Sequence, residues 1–219
     1  MGPSPLLIHP DSTVNLPPVY CGSIPYYALM AAYGHAVVDT AARFDKRQKD
    51  THRCLIADTR GPLTLTVPIN KPQSATRACW SDITVSTHDS WWNIHLTSLE
   101  SAYGRTPFFE FYADRFKPLF CGHRYAEGNY PLMQLDAEFD AVIREILGID
   151  TSVEYTGESC RNENHSRFTP CGSETAVEYY QVRAHQLGFI PGLSILDLIF
   201  NLGPEAPLIL RRMQQALSL

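Results

Sequence analysis

Apolar and polar positions along this chain change period several times, and the changes mark out its elements. The most regular run is residues 194–205. There Ile195, Leu196, Ile199 and Phe200 recur at three and four, the period of a helix with one buried face. Ser194 stands where an N-cap belongs, Gly203 where a left-handed residue ends a helix, and Pro204 follows to stop it. Asp197 and Asn201 are four apart and share a second face of that helix. Upstream, residues 19–24 predict a buried strand and its exit. Pro25 predicts the first turn of a helix with Tyr26, Leu29, Met30 and Tyr33 inward and Gly34 at its end. Residues 35–39 are short and β-prone, giving a strand–helix–strand opening. Residues 54–57 and 63–69 predict an antiparallel hairpin. Leu63, Leu65 and Val67 alternate with threonines, residues 58–62 make the turn, and residues 83–85 extend the same sheet.

Further helices follow the same logic. Ser90 caps a helix to Tyr103 with Trp92, Leu96, Leu99 and Tyr103 as its apolar stripe, and His95 lies on or beside that stripe. Thr106 and Pro107 open another, with Phe108, Tyr112 and Phe116 packed and Glu110 and Asp114 on a solvated face. Residues 136–147 form an amphipathic helix stopped by Gly148, residues 151–155 a strand, and residues 178–187 and 208–217 two closing helices. Residues 1–18, with Pro3, Pro5, Pro10, Pro17 and Pro18, read as an irregular lead-in that contains at most a short strand at 6–8. Residues 19–219 then make a single α/β domain: a mixed sheet that includes the hairpin, with helices packed on it. The hairpin argues against a purely parallel sheet, and a pocket is expected at strand ends near the 194 helix.

Composition narrows the function. At 219 residues, 44% hydrophobic and 19% charged, the chain builds an ordinary globular core. A net charge of -5 and no Lys/Arg cluster among aromatics exclude a broad nucleic-acid surface. No basic leader precedes an apolar run and no apolar segment is long enough for a membrane span, so a soluble, cytoplasmic protein is expected. Cys21, Cys54, Cys79, Cys121, Cys160 and Cys171 are scattered singly, which reads as free thiols. Cys160, His165 and Cys171 lie too far apart for the paired ligands of a structural zinc site, so no metal or cofactor is expected. Residues 157–172 read instead as a mobile, polar loop that could close over a pocket. No Gly-rich phosphate loop, G-x-S-x-G or H-E-x-x-H is present.

The remaining chemistry is spread over several segments. Residues 41–53 are rich in cations and are either a solvated segment or an anion-binding loop, in which Arg47 and Arg53 would hold a phosphate or carboxylate. His95 is either a hydrogen-bonded core residue or a general base. Trp92 and Tyr103 offer rings for a base or sugar, Asp197 a carboxylate to orient an amine or the histidine, and Asn201 and Glu205 polar anchors. Cys54, beside Arg53, is the better of two candidate nucleophiles, with Cys21 the other.

Several of these segments together resemble the bacterial WbqC-like family. They are residues 187–205, Trp92 and His95 followed by Glu100 to Tyr103 and Pro107 to Phe109, residues 47–54, residues 63–69, and Leu147–Gly148–Ile149. Two places depart from the family pattern. Residues 20–27 keep a proline and an aromatic but lack a glutamine, and residues 191–194 read Pro-Gly-Leu-Ser where Pro-Asn-Leu-Ser is usual. The resemblance implies a protein of surface-polysaccharide gene clusters acting on an activated or amino-bearing sugar. The expected activity is transfer of an acyl or aminoacyl group, with a small-molecule substrate such as a nucleotide sugar. The alternatives are a non-catalytic sugar- or anion-binding protein, or a polar cluster that serves structure alone. Oligomeric state is not encoded in any motif.

Overall fold

Strand β2 (Tyr33–Asp39) is the middle of a three-stranded, all-parallel sheet, flanked by β1 (His9–Leu16) and β7 (Ser152–Thr156). The computed structural model of the protein describes residues 6–70, 78–156 and 177–219; the expected loop at 157–172, with Cys160, His165 and Cys171, lies outside them. β1 replaces the irregular lead-in expected from the prolines. An edge strand tolerates Pro10, and the register slips between His9 and Thr13 around it. Gly34 does not end a helix. It lies within β2, where a Cβ would stand 1.8 Å from the Pro10 carbonyl oxygen, so only glycine permits this strand approach.

Helix α1 (Ile24–Ala32) carries Pro25 in its first turn and passes into β2 without a loop. It is buried on almost every side, packed against residues 195–202, residues 206–216 and the sheet. Residues 19–23 form its lead-in rather than a strand. Their backbone is held by Tyr20 N–H to the Asp50 carbonyl and by a bridge between Ser23 and Ser194, and Cys21 adopts a left-handed φ of 46°.

Strands β3 (Arg53–Asp58) and β4 (Gly61–Thr66) form the predicted antiparallel hairpin, in register from Arg53↔Thr66 to Asp58↔Gly61. β5 (Ile69–Asn70) and β6 (Thr84–Val85) pair separately. The alternation that reads through residue 69 is interrupted at Pro68, which has no N–H for a ladder. The fold is thus α/β with parallel and antiparallel pairing held in separate ladders.

Helix α2 (Trp91–Tyr103) buries Trp91, His95, Leu99, Ala102 and Tyr103, while Trp92 and Leu96 are half-buried. The buried face is therefore turned by one residue from the predicted stripe, and His95 lies at its middle. α3 (Phe109–Phe116) starts after Pro107, because Thr106 instead donates its hydroxyl back to the Tyr103 carbonyl at 2.7 Å. α4 (Leu132–Leu147) starts a turn earlier than predicted and ends, as predicted, on Gly148 with φ 63°. α5 (Ala184–Leu187) is a single turn, so most of residues 178–187 is not helical.

α6 (Ile195–Leu202) matches its sequence signals. Ser194 Oγ accepts the Leu196 N–H at 3.3 Å and donates to the Cys21 carbonyl at 2.6 Å. Gly203 has φ 49°, and a Cβ there would meet the Phe108 ring at 2.5 Å. Pro204 bends the chain rather than ending it: one 3₁₀ turn leads into α7 (Ala206–Ala216). Among the described residues no helix is long and apolar enough to cross a membrane.

Candidate functional site

β3 is the strand on which the polar interior converges. α2 and α6 pack on it, the opening loop crosses its start, and Ser194 N–H donates to the Leu55 carbonyl at 2.7 Å. His95 reaches this region from α2. Its Nε2 lies 3.1 Å from the Thr66 carbonyl oxygen, which can only accept, so Nε2 carries the proton. Nδ1 then accepts the Tyr20 hydroxyl at 3.0 Å. Burial lowers the imidazole pKa to about 4 against the opposing pull of the Thr66 carbonyl, and Trp91 and Phe120 flank the ring. Both nitrogens are engaged inside the core.

Asp197 is carried by α6, which packs on both β3 and α2. The Tyr179 hydroxyl donates to its Oδ2 at 2.6 Å and itself accepts the Gln181 amide at 3.1 Å. The Tyr103 hydroxyl accepts the Ala57 N–H at 3.1 Å and lies beside the same carboxyl. Burial raises the Asp197 pKa, and the neighbouring hydroxyls and the Asn201 amide offset part of that rise. Asn201 donates to the Asp197 carbonyl at 2.8 Å and accepts the Val182 N–H at 2.9 Å, which fastens residues 179–183 over α6. Gln181 completes the fastening through two hydrogen bonds to the Ile190 backbone.

The other expected site residues are dispersed. Arg47 is exposed and paired with Asp45 at 3.0 Å. Arg53 opens β3 half-buried, with its Nε closed from water and without a partner. Trp92 stacks on Tyr125 and packs against Gly122, away from Asp197 in sequence and partners. Glu205 is exposed in the turn after α6. Cys54 is buried and neighbours Cys21, whose thiol pKa is pushed up by burial and then by Cys54. A raised thiol pKa keeps Cys21 protonated, the opposite of an activated nucleophile. The four described cysteines are free. Among the described residues no group of three His, Cys, Asp or Glu could hold a metal ion.

Two residues escaped the sequence reading. Asp136 and Asp140, on the buried face of α4, lie in line with Leu132, Phe139 and Ile143. Asp136 is fully buried with neither oxygen partnered, and burial, then Asp140, raises its pKa well above the ordinary carboxyl value. Asp140 is anchored by Arg144 Nε at 2.7 Å. The signal was their placement at helical spacing inside an apolar stripe, where a solvated pair would fall on the opposite face.

The model of the WbqC-like protein family matches residues 18–170. The chain belongs to the WbqC-like protein family. No match was found among curated proteins or among solved structures. The WbqC-like match includes Tyr20, Arg53, His95, Tyr103 and Asp136; α6, with Asp197 and Asn201, lies beyond the matched residues.

Proposed function

We propose that this WbqC-like protein transfers an acyl or aminoacyl group to an activated or amino-bearing sugar, as a cytoplasmic step in bacterial surface-glycan biosynthesis. The observation that carries the reading is Asp197. It is a buried carboxyl of raised pKa that touches the Tyr179 hydroxyl and neighbours that of Tyr103, on a helix fixed to β3. Buried carboxyls with perturbed pKa values and hydroxyl partners are the usual equipment for moving a proton near neutral pH. Here Asp197 would take the proton that an amine loses as its nitrogen attacks the acyl carbon of a thioester; the C–S bond breaks as the amide forms, and the departing thiolate takes that proton to leave as a thiol. Tyr179 and Tyr103 would keep the carboxyl oriented. His95 would position Tyr20 and the β4 backbone rather than act as the base.

The test is transfer from acetyl-coenzyme A, and from an aminoacyl thioester, to nucleotide-linked amino sugars, followed by mass spectrometry of the product. Asp197→Asn should lower turnover by roughly 10²-fold or more, the scale of general acid–base assistance. Unchanged turnover in a folded Asp197→Asn protein removes Asp197 from the chemistry.

One observation favours a second reading. His95 and Asp197, the two groups expected to be catalytic, are 2% and 1% exposed, as in a protein that binds a sugar or anion without converting it. Calorimetric binding of a nucleotide sugar, with no product from any donor, would select that reading.

A further inference from the structure

Three consecutive residues leading into β3 have polar atoms that are shut away from water and left without partners: Thr51 Oγ1, His52 Nδ1 and Arg53 Nε. Thr51 is 0% exposed and His52 8%. Trp80, fully buried, adds an unpartnered indole N–H, with its ring centroid 6.4 Å from that of His52. Trp80 is fixed there by its backbone N–H to the Ala42 carbonyl at 3.0 Å and by an edge-on contact with Phe44 at 4.8 Å. Buried polar atoms without partners are rare in native proteins, and each calls for an explanation.

The charge around them points one way. Burial lowers the His52 pKa to about 4, and the charges of Arg53 and Lys49 push it in the same direction, so both cations lie within electrostatic reach of the imidazole. Among the described residues neither Arg53 nor Lys49 forms an ion pair. Asp50 stands between them in the chain, yet its carboxyl pKa is raised by burial rather than lowered by a cation. Among the described residues, then, no carboxylate pairs with either cation beside these unpartnered polar atoms. Arg47, the other cation expected to hold an anion, is already neutralised by Asp45.

We propose that Thr51, His52, Arg53 and Trp80, with Lys49 at the rim, bind the phosphoryl group of the substrate. A phosphoryl group presents three acceptor oxygens in different directions, whereas a carboxylate presents two in one plane. A hydroxyl, a guanidinium and an indole N–H drawn from two separate segments, with the His52 ring among them, suit the first. The inference deepens the transferase reading and rests on it for the identity of the sugar, since a sugar activated as a nucleotide carries phosphoryl groups.

The experiment is isothermal titration calorimetry of the full chain at low ionic strength against inorganic phosphate, pyrophosphate, uridine diphosphate and, as the carboxylate comparison, citrate. Phosphate-bearing probes should bind, with affinity falling as salt is added. Arg53→Gln should weaken binding about tenfold or more, the scale of a lost charge-assisted hydrogen bond. Trp80→Phe keeps an aromatic ring and removes only the indole N–H, so it should weaken binding about three- to tenfold and serves if Arg53→Gln does not fold. Arg60→Gln, at the exposed β3–β4 turn, should leave the affinity unchanged. Tighter binding of uridine diphosphate than of pyrophosphate marks a nucleotide source; equal binding marks the phosphoryl group alone. The proposal is overturned by no heat from any phosphate probe, by citrate binding as well as pyrophosphate, or by undiminished binding in both Arg53→Gln and Trp80→Phe. Phosphoryl binding without transferase turnover leaves this proposal standing and removes the catalytic one; turnover on a phosphate-free sugar with no phosphate binding does the reverse.

Discussion

At pH 7 the His95 ring is uncharged, because burial holds its pKa at about 4 while an unfolded chain titrates near 6.5. His52 is depressed in the same way. Between those two values the unfolded chain binds protons that the native chain refuses, so stability falls as pH drops through that window. Urea denaturation from pH 7 to pH 4 should show the fall, and His95→Gln should make it shallower; an unaltered slope would mean that His95 is protonated in the fold. Asp136 works in the opposite sense. Its folded pKa is raised, so above the unfolded value near 3.8 the native chain holds a proton the unfolded chain has released, and stability declines as pH rises. Asp136→Asn removes that decline and should raise stability at pH 7, the gain shrinking toward pH 4, in the same titration. A loss at pH 7 would show instead that the carboxyl has a partner which the amide cannot serve.

Among the elements, α6 was legible because its signals are local. Its cap, its stripe and its closing glycine sit within a dozen residues, and none depends on a distant partner. Ser194→Ala should cost about 1–2 kcal/mol in denaturant melts, since it frees both the Leu196 N–H and the Cys21 carbonyl. Gly203→Ala should cost more, about 2–4 kcal/mol, because it forces a side chain into a left-handed φ and into the Phe108 ring. The segment ahead of α6 was misread as a helix for the converse reason. Its order comes from the side chains of Gln181 and Asn201 rather than from its own periodicity. Asp136 and Asp140 were missed because carboxylates four apart ordinarily mark a solvated face, although their place in line with Phe139 and Ile143 turned this pair inward. Of the candidate site, Asp197 and Asn201 were legible from their shared face, while Tyr179, which completes the carboxyl's surroundings, carried no local signal.

On the scale of the whole molecule, pairing β1 and β7 to β2 needs partners that no window of sequence contains. The parallel sheet was therefore foreseen only as a class, and β1 not at all. The chain's two ends are closed by a similar long reach: Gln214 Nε2 on α7 donates to the Leu6 carbonyl at 2.9 Å and the Ala28 carbonyl at 3.1 Å. Gln214→Ala leaves the buried Leu6 carbonyl without its donor, while the Ala28 carbonyl keeps its N–H partner within α1, and should cost about 1–3 kcal/mol. Limited proteolysis should then cut first around residue 6, whereas an unchanged cleavage order would place the closure elsewhere.

The union of β2 with β7 also sets a timetable. Thr151, beside β7, binds the Met30 carbonyl at the end of α1 across a sequence separation of 121 residues. On a ribosome adding about 5–20 residues per second, the N-terminal strands wait roughly 6–24 s for that partner. During the wait, one side of β2 offers an open row of N–H and C=O groups to any passing strand, while the β3–β4 hairpin, complete within a few residues, is already shut. Chaperone demand and aggregation during synthesis should therefore track the translation rate between residues 39 and 156, and slow codons placed there should lengthen the exposed interval.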